Sequence, residues 1–262
     1  MTDTEYFYLA DEEDKAILMH RDAHFGGSFD VMLEYYREEK KGAVLPSSIA
    51  HIEALAAQEK ALQQNIAPLI LTGADAEKVA AVRMMYQSLQ ALYEQLQGKK
   101  NIATAISDLI VTEDEDATKE IDAVISYGQE AVPYLINIIE SADLQDPLFP
   151  GYGYAPLYAA KALGVLKAEK AVQPLFLLLK ADDFEYGEAA IEALVAIGAP
   201  AKQFLLRQVQ SKPIHDTNVL AASALNYFDD EEVVRVFKEL LQDEDVKKNK
   251  MLVEYLIIGQ AR

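Results

Sequence analysis

The chain has 262 residues, no cysteine, no tryptophan and a formal net charge of −19 at pH 7. That length can bury a proper core as one large domain or two smaller ones, and the missing cysteines exclude disulfides, thiolate metal sites and cysteine nucleophiles, which suits a reducing compartment such as the cytoplasm. The charge is spread along the chain, −11 over residues 1–116 and −8 over 117–262, so both halves repel nucleic acid and anionic membranes, whose recognition needs Lys and Arg, while the acidity keeps the protein in solution or, alternatively, forms a docking surface for a basic protein or peptide partner.

The opening residues MTDTEYFYLADEED lack the basic and apolar regions of a secretory signal, and no apolar run reaches bilayer-spanning length. Apolar residues then recur three and four apart, the spacing of amphipathic helices. This predicts helices over 11–24, 28–40, 47–66, 74–97 and 99–110, and no strand. His20 and His24 share a face of the first helix, where two imidazoles can reach one metal ion. They are the metal candidates, yet no His-Glu-x-x-His is present and only His51 and His215 remain as further nitrogen ligands. The alternative is a helix end: imidazoles in a last turn suit the carboxy-terminal dipole, and Gly26 and Gly27 stop the helix. No cofactor is expected. His20-Arg21-Asp22 spells a kinase triplet without its downstream Lys and Asn, and no phosphate loop, nucleophile elbow or calcium loop occurs.

The fourth helix carries Val79, Val82, Met85, Leu89 and Leu92 or Tyr93 on one stripe. The acidic run Thr112–Glu120 is the candidate hinge, which divides the chain into a helical region 1–112 and a second region 113–262. That second region repeats itself. AVPYLINII from Ala131, AVQPLFLLL from Ala171, AKQFLLRQV from Ala201 and VVRVFKELL from Val233 are copies of a first helix, starting 40, 30 and 32 residues apart. Between them AAKAL from Ala159, AAIEAL from Ala189 and AASAL from Ala221 mark a second helix, moving in the same steps of 30 and 32. Paired alanines let neighbouring helices approach closely. Gly128, Gly164, Gly198, Asn226 and Gly259 stand where left-handed caps would end each second helix.

These residues resemble HEAT repeats, in particular the short repeats of the phycobilisome-lyase-like group, over about residues 117–262, with ALVAIGAPAKQFLL from Ala193 the most similar segment. The resemblance implies an all-α fold, a right-handed α-α superhelix (HEAT-like solenoid) with an N-terminal helical unit packed on it. The usual entry to the second helix, an Asp turn followed by Val-Arg, is replaced by DDFEYGEAA from Asp182, with Tyr186 and Gly187 at that place.

The 40-residue step locates an insertion, SADLQDPLFPGYGYAPLY from Ser141, where prolines and glycines forbid a helix. Phe149, Tyr152, Tyr154 and Tyr158 there, with Tyr186, are the candidate partner-binding residues, because aromatics on a restrained loop cover much area at little entropic cost. The opposing reading tucks Phe149 into the core. Acidic clusters at 182–185, 229–232 and 243–245 precede helices, where the amino-terminal dipole accounts for them. The expected function is a non-catalytic scaffold that binds a protein or peptide through the concave face and the aromatic loop 142–156. The alternative is an enzyme, lyase-like by kinship or metal-dependent through His20 and His24.

Overall fold

The computed structural model describes residues 11–38, 48–96, 99–113, 116–181 and 183–260. The expected helix residues 39, 40, 47 and 97, part of the acidic run at 114–115, Asp182 and the first ten residues lie outside the described residues. Those described form fifteen α-helices and four short 3-10 turns, with no strand among them. The fold is all-α. Among the described residues no single helix is long and apolar enough to cross a membrane, and one pair of consecutive helices, Phe184–Ile197 and Ala199–Val209, reaches that length and apolarity only across a 117° bend.

The chain divides into two compact units, Met1–Lys100 with Asp146–Gly153, and Asn101–Gln145 with Tyr154–Arg262. The division therefore falls near residue 100, before the acidic run at 112, and assigns eight residues of the insertion to the first unit.

The first unit contains α1 (Glu12–His24), α2 (Phe29–Glu38), α3 (Ser48–Leu62), the short α4 (Ala67–Ile70) and α5 (Gly73–Leu96). Asp11 and Asp14 close the start of α1 reciprocally: Asp14 N donates to Asp11 Oδ1 at 2.8 Å and Asp11 N to Asp14 Oδ2 at 3.2 Å. Ile17 and Leu18 of α1, Phe29 and Met32 of α2, and Ile52 and Leu55 of α3 form one core. Arg21 is also fully buried. Its Nε donates to Asp22 Oδ1 at 2.8 Å, one amino group to Glu59 at 2.7 Å and the other to Asn65 at 2.9 Å, and it lies 4.5 Å above the Phe29 ring. The expected stripe of α5 is buried only at Val79 and Val82, which pack with Ala23 of α1 and Phe149 of the insertion.

The second unit contains α6 (Ile102–Val111), α7 (Thr118–Ile125), α8 (Val132–Glu140), α9 (Ala155–Val165), α10 (Val172–Leu178), α11 (Phe184–Ile197), α12 (Ala199–Val209), α13 (Asp216–Leu225), α14 (Glu231–Leu240) and α15 (Lys250–Ile258). First helices α8, α10, α12 and α14 alternate with second helices α9, α11, α13 and α15, each second helix packing on the first helix before it. Leu163, Leu194, Leu225 and Leu256 recur every 31 residues along the second helices, and all four are fully buried. Leu135, Leu175, Leu205 and Phe237, spaced 40, 30 and 32 residues apart, are likewise fully buried on the first helices. Lys202 of α12 bonds Asp230 and Glu232 at the start of α14, at 2.6 and 3.0 Å.

The expected glycine caps need correction. Of the five expected cap positions, Gly128 and Gly198 alone have positive φ, 58° and 83°. Asn226 and Gly259 are right-handed, at −61° and −70°. Gly164 lies inside α9, and the left-handed residue is Lys167, where Ala168 N donates to Leu163 O at 3.1 Å. Gly164 and Gly259 are glycines for space: a Cβ on Gly164 would stand 2.9 Å from Ala193 Cα, and one on Gly259 2.4 Å from the Phe237 ring.

Candidate functional site

α11, FEYGEAAIEALVAI, begins where Asp183 accepts from Glu185 N and Tyr186 N at 2.8 and 3.2 Å. Its helical period sorts it into two faces. Tyr186, Ala189, Ala190, Ala193, Leu194 and Ile197 point into the unit and are buried. Phe184, Glu188, Ile191 and Val195 form the opposite stripe, with Gly187 beside it. On α13 the buried face is Val219, Ala221, Ala222, Ala224 and Leu225, and its outer side presents Leu220 and Ser223, with Tyr227 just beyond its end.

Among the second helices, α9 lies close along α11 and α13 against α15, but α11 and α13 barely approach each other. Small residues meet where Gly164 faces Ala193 and Ala196, whereas the larger Ile191, Val195, Leu220 and Tyr227 line open space beside α11 and α13. This space is a groove of about 540 Å³. Phe184 is 83% exposed at one end of it and Tyr227 57% exposed. A phenylalanine so placed forgoes roughly 2 kcal/mol of burial in the free protein, and contiguous exposed apolar surface of this kind marks interaction sites. Among the described residues the charged side chains lining the groove are Glu188 and Glu192, with no Lys or Arg. Ser223 donates its hydroxyl to Leu220 O at 2.8 Å within its own helix.

Gly187 is half-buried within α11, and a Cβ added there would meet nothing within 4 Å. Glycine in a helix interior costs about 1 kcal/mol relative to alanine. Unlike Gly164 and Gly259, this glycine is required by no neighbour among the described residues.

The five aromatics expected to bind a partner are dispersed. Phe149 and Tyr158 are buried, as is Tyr186, which donates its hydroxyl to Gln145 O at 3.2 Å. Tyr154 is half-buried and stacks on Tyr158 with ring centres 6.0 Å apart. Tyr152, half-buried with φ 49°, lies 5.6 Å from the His20 ring and 5.2 Å from the His24 ring. Burial of Phe149 and Tyr158 makes them packing residues.

His20 and His24 share a face, with ring centres 4.5 Å apart. Their surroundings are aromatic. His20 Nε2 pairs with the Tyr36 hydroxyl, and His24 uses Nδ1 for the Tyr86 hydroxyl and Nε2 for Leu148 O, both at 2.8 Å. A carbonyl only accepts, so His24 Nε2 carries the proton and Nδ1 accepts from Tyr86. Burial lowers the pKa of His20 to about 3, helped by the neighbouring His24, and that of His24 to about 4. Among the described residues neither imidazole belongs to a group of His, Asp and Glu within mutual ligand reach. Asp11, Asp14 and His51 do, with atoms within 4.8 Å of one another, but the carboxylates form the α1 cap and His51 Nε2 bonds Asp14 at 2.7 Å.

Sequence reasoning did not single out Phe184, Val195 or Tyr227. Burial of these three depends on how closely α11 and α13 approach, which periodicity along one helix does not report. Gly187 belongs to DDFEYGEAA, the segment whose entry to α11 departs from the expected Asp turn and Val-Arg. Comparison with family models, curated proteins and solved structures finds no match to this chain.

Proposed function

We propose that this protein is a non-catalytic interaction scaffold of the cytoplasm, in which the helix pairs of the second unit form a HEAT-like right-handed superhelix and a partner protein binds the face made by its second helices. The observation that carries this reading is the exposed apolar groove between α11 and α13, with Phe184 and Tyr227 as anchors. The regular alternation of first and second helices and the fully buried leucines at 31-residue steps support the repeat architecture. The anchors thus move from the aromatic loop 142–156, whose Phe149 is in a core, to the second helices.

Purification of the intact protein with quantitative identification of what accompanies it tests this. A stoichiometric partner is expected with the wild-type chain, lost with Phe184→Ser/Tyr227→Ser and kept by Leu69→Ser/Met84→Ser, a pair equally exposed in the first unit. Equal recovery with both double variants would contradict the reading.

A further inference from the structure

Resting on that scaffold reading, we infer that the α11/α13 groove receives an amphipathic helix of the partner, basic along its edges and seated with its backbone close over Gly187. Three features of the groove converge on this occupant.

The first is dimension. From Phe184 to Val195 the stripe of α11 rises about 17 Å, the length of three helical turns. Phe184, Ile191 and Val195 on one wall, and Leu220 and Tyr227 on the other, provide apolar contacts along that length. A helix laying its apolar face between two helices uses contacts so distributed. The second is Gly187. Here α11 presents bare backbone at the groove, with open space where a side chain would stand. The two close helix approaches inside this unit, at Gly164 and Gly259, are also made at glycines. Gly187 offers the same close approach to a helix from outside the chain. The third is charge. Glu188 and Glu192 line the groove with no Lys or Arg among its described lining residues, so an entering helix gains by carrying Lys or Arg at its edges and loses by carrying Asp or Glu.

The test uses the full chain and three labelled peptides of about 14 residues, or four turns: one with leucines at helical spacing and lysines elsewhere, one of the same composition scrambled, and one with every lysine replaced by glutamate. Binding is followed by fluorescence anisotropy. The lysine peptide is expected to bind at least tenfold more tightly than either of the others. Gly187→Leu, which fills open space and should melt no lower than wild type, is expected to weaken the lysine peptide tenfold or more. Glu188→Lys/Glu192→Lys should reverse the preference toward the glutamate peptide. No binding of the lysine peptide, equal binding of the scrambled one, or unchanged affinity in Gly187→Leu would overturn the inference. If these results come with loss of the natural partner in Phe184→Ser/Tyr227→Ser, the scaffold reading stands and only the basic helix is wrong.

Discussion

Gly164 of α9 faces Ala193 of α11 so closely that a single methyl on the glycine would lie 2.9 Å from the Ala193 Cα. Close approach at this point joins two second helices, and its absence between α11 and α13 opens the groove. Gly164→Ala should therefore destabilise the protein by roughly 1–3 kcal/mol, because backbone must move. Gly187→Ala should instead stabilise it by about 0.5–1 kcal/mol, since helix propensity improves and nothing is displaced. Urea unfolding of both variants checks the contrast; a loss at both positions would show that Gly187 serves the fold.

Asn218 is fully buried at the second residue past the start of α13. Its side-chain nitrogen lies 3.0 Å from Val209 O and 2.9 Å from Ser211 O, satisfying carbonyls at the end of α12, and its oxygen accepts from His215 N at 2.8 Å. Asn218→Leu removes both roles while keeping the branched shape of the side chain, with somewhat greater bulk. It should cost about 2–3 kcal/mol, the penalty of stranded buried polar groups, measured by thermal or urea unfolding.

Arg21 tests the first unit in the same way. Its guanidinium is enclosed by Asp22, Glu59 and Asn65. Arg21→Ala leaves carboxylates facing a hole and should cost roughly 3–5 kcal/mol. Arg21→Lys recovers only part, because one ammonium cannot reproduce the forked contacts. Urea unfolding followed by tyrosine fluorescence would report both, and near-equality of Arg21→Lys with wild type would contradict the geometry.

Acid should weaken the fold through His20 and His24. Unfolded imidazoles bind protons below about pH 6.5, whereas the folded pair resists until about pH 4 for His24 and about pH 3 for His20. Between those limits the unfolded state holds more protons, so stability present at pH 7 falls as pH drops, by up to about 1.4 kcal/mol per unit for each histidine. His51 works oppositely. Burial alone would lower its pKa, but its bonds to Asp14 and Glu13 raise it, so its contribution is held at low pH and lost as pH rises through the folded value. In His24→Gln, which can still donate to Leu148 O, the slope of unfolding free energy between pH 6.5 and 4 should shrink by about one proton's worth.

Much of the helical framework was legible because it is local. Periodicity placed α1, α2, α3 and α5 to within a few residues, and the paired alanines marked α9, α11 and α13. Asp183 and Asp230 cap α11 and α14 as their positions before those helices imply. The caps at Gly164 and Gly259 were misread, since a glycine that makes room and a glycine that turns the chain look alike in sequence. The aromatic loop illustrates the other limit: its composition is that of an exposed binding loop, but Phe149 finds Ala23, Val79 and Val82 more than sixty residues away in the chain. Phe184 escaped notice for the converse reason, as a residue that reads as core until the spacing of α11 and α13 is known.

Site-specific photo-crosslinking in cells tests the scaffold account most directly. A photoreactive phenylalanine analogue at position 184 or 227 should trap one and the same partner protein, while the analogue at Leu69, exposed in the first unit to a degree between those two, should not. Crosslinking of that partner from Leu69 but from neither position 184 nor position 227 would contradict the account.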